Sequence, residues 1–585
     1  MPLRRLSLPF DILIFVFIVS AVLSLLAAYS RALSFATLGA VLISGGVYFA
    51  AAHLIASWHV ARRASLALVA LALVYIALFI LLYEHQNYVE MPDFILRLGA
   101  FTTALPALPI HIHPNSAATV AAGVLPLAVT LALSSSNLEK KGLLWAGVAL
   151  LGYGLLLAFS RGAFIALALV LVLGLVTLVL PRRAALALVL ALVVGTVAAA
   201  LLAGPVLARA FDWTFSRYEL YRNSLYLAQD YAFTGIGLGE PFALVYSRYG
   251  LLIQVPFLEH PHNLPLAVWM GQGLLGLVAL VGLVVTFYLF VFKVTRRAHP
   301  RRLFHGAWLG VTATLIHGLF DAQQYSTEAL LVMPVLFALV GLTVASGRIA
   351  LYKAYWRHPE ISLRYIPRPL PVGAALLLVG VGVTLSPVIA AAWETNLGAL
   401  AETRGALTPN LSAAERFTLY DDALLHYAAA LERAPGWASA SRRLGNLDVS
   451  LGYFAEAVPL LEAAAAAEPD NPAAVKGLGL AYVWTGRVEE AAVVFHRLDD
   501  PAAMSSELST WGYYRQDQGK PLLAAYAWDT MQAMYPGTVG PHVLVLIADT
   551  YRDGGDLARA RQRYADALAI EPENVAAQEG LAAVS

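Results

Sequence analysis

The chain sets two histidines at the entrance to an apolar helix, in the run Glu259-His260-Pro261-His262-Asn263. Histidine is the side chain most readily used as a general base near neutral pH. Three arginines could act with it. Arg161 interrupts an otherwise near-continuous apolar stretch from 142 to 180, and a cation at or near bilayer depth is costly enough to mark function. Arg217 and Arg222 lie in Ser216-Arg217-Tyr218-Glu219-Leu220-Tyr221-Arg222, a spacing that puts them on different faces of a helix. The planar guanidinium fork matches phosphate oxygens two at a time. One reaction type suits such a set: the histidine takes a proton from an attacking hydroxyl while arginines hold and neutralise a departing lipid diphosphate. Each residue also has a plainer role open to it. His262 beside Asn263 could cap the next helix, Arg161 could snorkel from a helix end, and Arg217 or Arg222 could pair with Glu219 or Asp212. The histidines stand two apart, with only Glu259 beside them and His111 and His113 far off, so no metal site is expected.

The elements that must position these residues are membrane helices. The chain is 59% hydrophobic and 13% charged, with mean hydropathy +0.67, where a soluble domain carries roughly 25% charged residues. The absence of Cys excludes disulfides and thiol chemistry, and a net charge of +1 without a basic, aromatic-interleaved run argues against nucleic acid. Arg4 and Arg5 lead into an apolar run that reads as a first span rather than a cleaved signal. At about 20 apolar residues per span, eleven spans are expected: 10–29, 33–58, 64–83, 116–134, 142–159, 163–180, 184–203, 263–291, 304–320, 328–346 and 370–391. Lys and Arg concentrate in alternate connections, such as Arg62-Arg63, Lys140-Lys141, Arg182-Arg183 and the run from Lys293 to Arg302. The positive-inside rule then sets the N-terminus in the cytoplasm and the C-terminal part outside. On that outer side lie the segment 84–115, the tight connection Ser160-Arg161-Gly162 and a long loop, 204–262. Segments this long inside a bundle are usually functional.

Beyond about residue 400 the sequence becomes Ala-rich and repeats itself every 34 residues. Leu444-Gly445 recurs as Leu478-Gly479, Ala457 as Ala491, and Pro435 as Pro469. Tyr551, Ala560, Tyr564, Ala567 and Pro572 keep the same internal spacing, and Trp511-Gly512 with Ala524, Trp528 and Pro536 fits more loosely. This pattern resembles the tetratricopeptide repeat, in which small residues let paired helices pack closely. The expected fold is therefore all-α: a polytopic bundle over 1–395, followed by an extracytoplasmic α-solenoid over 396–585.

Five pieces of the first part, in order, resemble the O-antigen ligase and Wzy-type polymerase superfamily, which includes bacterial O-oligosaccharyltransferases. They are His113-Pro114-Asn115, Phe159-Ser160-Arg161-Gly162-Ala163, the loop running from Arg217 and Tyr221 to Thr234-Gly235-Ile236-Gly237-Leu238-Gly239, Pro261-His262-Asn263 with the later Gly271-Gln272-Gly273-Leu274-Leu275-Gly276, and His317-Gly318-Leu319-Phe320-Asp321. The resemblance covers about 1–391. Tyr221 stands where Trp is usual and Ala232-Phe233 where His-Pro is usual. The resemblance implies a GT-C-like membrane glycosyltransferase at the cytoplasmic membrane, metal-independent and inverting, without a cofactor. It would move a glycan from an undecaprenyl-diphosphate-linked donor to an acceptor hydroxyl on a glycolipid, a glycan or a protein. It implies His262 as base with Arg161 and Arg217 on the diphosphate. Arg222, His260, Asn263 and Asn115 are candidate substrate contacts. Asp321 is another, unless it bonds to His317 four residues earlier. A flippase or exporter would need charges lining a mid-membrane path, which the nearly charge-free spans do not offer. A pure scaffold would not need so many spans. The repeats are expected to bind the acceptor or a protein partner.

Overall fold

Backbone amides in a bilayer must find partners within their own segment, so long apolar runs become helices. The computed structural model describes residues 4–83, 93–99, 111–179, 212–252, 258–298, 300–357 and 386–584, and holds helices and no strand among the described residues. The chain forms two units: Met1–Ala243 with Phe257–Thr384, and Leu244–Pro256 with Leu385–Ser585. The first contains α1 (Arg4–Ser24), α2 (Arg31–Leu54), α3 (Trp58–Leu81), the short α4 (Asp93–Gly99), α5 (Pro114–Leu133), α6 (Leu138–Ala158), α7 (Arg161–Val179) and α8 (Asp212–Asp230). After α9 (Pro241–Tyr249) come α10 (Leu264–Arg297), α11 (Arg302–His317) and α12 (Ala329–Arg357).

Seven described helices, α1, α2, α3, α5, α6, α10 and α12, are long and apolar enough to cross a membrane. The apolar part of α7, Arg161–Leu175, and the 16-residue α11 are shorter and coincide with the expected spans 163–180 and 304–320. The expected span 184–203 and most of 370–391 lie outside the described residues. Helix α5 is the most enclosed. Its Ala117, Ala118, Ala121 and Ala122 are fully buried, and its Gly123 faces Gly310 of α11 so closely that a Cβ on Gly310 would strike the Gly123 carbonyl. Small residues at such a crossing let helix backbones approach. The result is that the first turn of α5 and the last turn of α11 meet at one end of the bundle.

Helix α10 is not the continuous span expected over 263–291. Gly273 (φ 66°, ψ −167°) breaks it. The break frees backbone groups that the glycine-rich loop after α8 satisfies: Ile236 N donates to Met270 O (2.7 Å) and Leu274 N to Ala232 O (2.8 Å), while the Trp269 indole also donates to Ala232 O (3.0 Å). A Cβ at Gly273 would overlap the Phe233 backbone, and one at Gly235 (φ 67°) would sit 2.5 Å from Met270 O. The glycines on both sides are thus required by one backbone-to-backbone contact.

The second unit is a run of helix pairs: α13 (Ser386–Leu407) with α14 (Ala413–Arg433), α15 (Ala438–Leu451) with α16 (Phe454–Ala467), and α17 (Pro472–Trp484) with α18 (Val488–Phe495). Next come α19 (Pro501–Asp517) with α20 (Pro521–Met534), α21 (Pro541–Asp553) with α22 (Leu557–Ile570), and a last helix, α23 (Val575–Ala583). The small residues of the repeat sit at the pairings. Gly445 lies against Leu461, Gly479 against Phe495 and Gly512 against Trp528, and Ala457, Ala491, Ala560 and Ala567 are fully buried. The inserted segment Leu244–Pro256 packs on these repeats. The Tyr249 hydroxyl donates to Asn471 Oδ1 (2.7 Å), Arg442 lies 5.0 Å over the Tyr249 ring, Arg248 pairs with Glu402 (3.3 Å), and Lys476 donates to Leu251 O (2.7 Å).

Candidate active site

His262 follows the buried His260 and precedes α10, whose N-cap is Asn263. The Asn263 side chain accepts from Leu266 N (3.1 Å) and its amide donates to Leu319 O (3.1 Å). So Asn263 is structural on both its oxygen and its nitrogen, tying the start of α10 to the turn after α11. His262 itself has φ 48°, in the left-handed region that a side chain disfavours. Three contacts hold it there. Its N–H donates to His260 Nδ1 (3.2 Å), its carbonyl accepts from the Tyr221 hydroxyl (2.9 Å), and its Nδ1 meets Asp321 Oδ1 at 3.3 Å. Such over-determined strain is typical of functional positions.

Asp321 is 3% exposed. Its Oδ1 also accepts from Ala322 N (2.7 Å) and Gln323 Nε2 (3.1 Å), and faces His260 Nε2 at 3.6 Å. Burial by itself would raise this carboxyl. The hydrogen bond from His262 and the surrounding histidines outweigh it and hold Asp321 well below the usual carboxylate range. An ionised Asp321 can only accept, so the His262 Nδ1 that faces it is the donor, and in the neutral ring Nε2 is the acceptor. The alternative of a side-chain bond between Asp321 and His317 is not what the fold makes. The two share only the backbone bond from Asp321 N to His317 O (3.0 Å), because the chain turns at Gly318 and swings the carboxylate toward His262.

His260 does not face an open cleft. It is 4% exposed, and burial, against the pull of Asp321, pushes it down to about 3, so it stays neutral. Its Nδ1 accepts from His262 N, which leaves its proton on Nε2 toward Asp321. The sequence offered only Glu259 beside these histidines; the fold supplies Asp321, and the ligating atoms of His260, His262 and Asp321 lie within 4.8 Å of one another, a spacing a cation could bridge. Their protons fit that poorly. A metal on His260 Nε2 would require a proton on Nδ1, which would then meet the His262 N–H donor to donor.

Helix α8 brings two side chains to the same turn. Arg217 donates to Phe320 O (3.3 Å), and Tyr221, one helical turn on, reaches both His262 O and Leu319 O (3.1 Å). Burial pushes the Tyr221 phenol up to about 12, so it remains a donor. Arg222 donates to its neighbour Asn223 (3.4 Å) instead, as its different helical face requires. Arg161 is exposed at the first position of α7, joined to α6 by only Phe159 (φ 44°) and Ser160. Gly162 lies against Phe320 and His317 of the same turn. Asn115 stands on the first turn of α5, whose Ser116 donates to Gln323 Oε1 (2.7 Å) and whose Thr119 meets His317 (3.0 Å). Sequence reasoning missed Gln323, Ser116 and Thr119, which carry no charge and no distinctive spacing, and it placed Ser160 in the Ser160-Arg161-Gly162 piece without giving it a role.

Residues 146–281, which include Arg161, Arg217, Tyr221, His260 and His262, match the family model described as O-antigen ligase. Residues 449–510 match that of the tetratricopeptide repeat. Among solved structures the chain is similar to a thermophilic TPR protein of Thermus thermophilus, 20% identical, with a TM-score of 0.17, covering 32% of this chain and 98% of that one. No curated protein matches the chain. The match to the O-antigen ligase model thus falls within the multi-pass membrane part of the chain and takes in His262, and the tetratricopeptide-repeat match follows it in the same chain.

Proposed function

We propose that the protein is an inverting membrane glycosyltransferase, moving a glycan from an undecaprenyl-diphosphate-linked donor to an acceptor hydroxyl on the extracytoplasmic face of the cytoplasmic membrane. The observation that carries this reading is the His262–Asp321 pair, in which the ring Nδ1 faces the carboxylate at 3.3 Å and the Asp321 contact leaves Nε2 unengaged by that carboxylate. In the reaction, Nε2 takes the acceptor hydroxyl's proton as its oxygen attacks the anomeric carbon. The bond from that carbon to the diphosphate breaks on the opposite face, and the diphosphate leaves with the electron pair. Asp321 compensates the charge His262 acquires. Arg161 and Arg217 take up the charge developing on the diphosphate. At the first position of α7, Arg161 sits at the positive end of that helix's dipole, which favours an anion as well. No step needs a metal. A glycolipid acceptor would make the protein a ligase; a growing glycan or a protein acceptor uses the same base and the same arginines.

Purified protein given polyprenyl-diphosphate oligosaccharide and glycolipid, glycan and protein acceptors in EDTA tests this. Transfer is expected in wild type and lost in His262→Ala with folding intact. Full activity in His262→Ala, or wild-type transfer abolished by EDTA and restored by a divalent metal, refutes the mechanism.

A further inference from the structure

Three of the motif pieces, far apart in sequence, are joined by one line of hydrogen bonds whose direction is fixed. Thr119 on α5 donates its hydroxyl proton to Asn115 O (2.7 Å). With that proton committed, Thr119 Oγ1 meets His317 Nδ1 at 3.0 Å as an acceptor, so His317 carries its proton on Nδ1. His317 Nε2 is then a bare lone pair, and Ser160 Oγ, 3.2 Å away, donates to it. All three side chains are sealed from solvent, at 3%, 1% and 6% exposure for Thr119, His317 and Ser160. The line leaves no donor or acceptor of the imidazole unmatched, and it cannot run in reverse while Thr119 bonds to its own helix.

Ser160 is the residue immediately before α7. A serine at that place ordinarily turns its oxygen onto the first-turn amides of its own helix. Here the hydroxyl is turned onto His317 instead. On the other side of Arg161, a Cβ on Gly162 would lie 2.9 Å from Phe320 Cβ and 3.1 Å from His317 Cδ2, so the backbone there is seated directly on the turn that carries Asp321. Arg161 is thus bracketed by two contacts to one imidazole. We propose that His317 and Ser160 are positioning residues for Arg161, holding the start of α7 so that the guanidinium meets the donor's diphosphate. This rests on the assignment of that diphosphate to Arg161.

The test is a double-mutant cycle on full-length purified protein, reading the Kd for undecaprenyl diphosphate in detergent. Ser160→Ala is expected to weaken binding about five- to tenfold, the usual worth of one buried hydrogen bond, and Ser160→Thr to restore it to within about twofold. In an Arg161→Ala background the same Ser160→Ala change is expected to matter less than about twofold, because its effect passes through the arginine. Equal weakening in both backgrounds, or an unchanged Kd in folded Ser160→Ala, overturns the proposal, as does a wild type that does not bind the probe. A wild type that binds the probe but transfers no glycan to any acceptor instead removes the proposed reaction, and the cycle still decides the role of Ser160.

Discussion

Asp321→Asn is the sharpest perturbation of the site. The exchange keeps size and shape, and the Oδ2 it replaces has no hydrogen-bond partner, so the amide group displaces none. The remaining oxygen can still accept from His262, Ala322 and Gln323. What disappears is one buried negative charge 3.3 Å from His262 Nδ1. At that separation and an effective dielectric of about 20, attraction to the imidazolium formed during transfer is worth roughly 5 kcal/mol. His262 is 19% exposed, and solvent screening reduces this to between about 2.5 and 5 kcal/mol. At 1.36 kcal/mol per decade, the expected loss is about seventy- to five-thousandfold. It should fall on kcat, because the charge is needed only once His262 holds the proton, and donor KM should stay within about twofold. The assay is single-turnover glycan transfer with saturating acceptor, alongside thermal unfolding in the same detergent. A loss below tenfold in folded protein, or a loss carried wholly by KM, would refute the role given to Asp321.

Three further outcomes are expected. Gly273→Ala puts a Cβ onto the Phe233 backbone at a positive φ; it should cost about 2 kcal/mol or more, seen as a lower Tm together with lost transfer, and an unchanged Tm would show that the break is not obligatory. Tyr221→Phe removes a donor shared between His262 O and Leu319 O and should slow transfer about three- to tenfold, whereas wild-type rates would mean that His262 needs no such brace. His260 is neutral in the fold down to about pH 3 but protonates near 6.5 when unfolded. The unfolded state therefore binds the extra proton, and stability present above pH 6.5 should fall as pH drops toward 3, by at most about 5 kcal/mol. A flat acid-unfolding profile over that window, or one unchanged in His260→Gln, contradicts this burial.

The helical bundle and the repeats were legible because both rest on simple periodicities. Apolar length alone located α1 to α3 and α5 to α7, and 34-residue recurrence located Gly445 and Gly479 at their helix pairings. His262, Arg161 and Arg217 stood out because charged or titratable groups are rare in so apolar a chain. Their partners were not legible. Asp321 lies 59 residues from His262, and spacing along a helix pointed it at His317, since nothing in the sequence says that the chain turns at Gly318. The break in α10 was hidden for a similar reason. Gly273 sits in a run apolar enough to be a helix throughout, and only the docking of Ile236 and Ala232 makes its conformation necessary. Small polar residues such as Ser116 and Thr119 look like ordinary filler in a span until their partners are in place, and Ser160 gains a role beside Arg161 only once the imidazole of His317 is there.

The polypeptide passes between its two units three times, at Ala243–Leu244, at Pro256–Phe257 and at Thr384–Leu385. The repeats are therefore not a cassette. A stop codon after the last membrane segment would look clean on paper, yet it would strip Asn471 and Arg442 from Tyr249, now 3% exposed, and leave Arg248 without Glu402. Loss of activity in such a truncation would report a stranded segment as readily as a missing binding surface. Grafting repeats from another protein faces the same obstacle, since the recipient must bring its own version of 244–256 matched to the new Asn471 and Lys476 positions. Recombination should accordingly favour exchanging both stretches together, and chimaeras cut only near residue 385 should express poorly whatever the quality of each half.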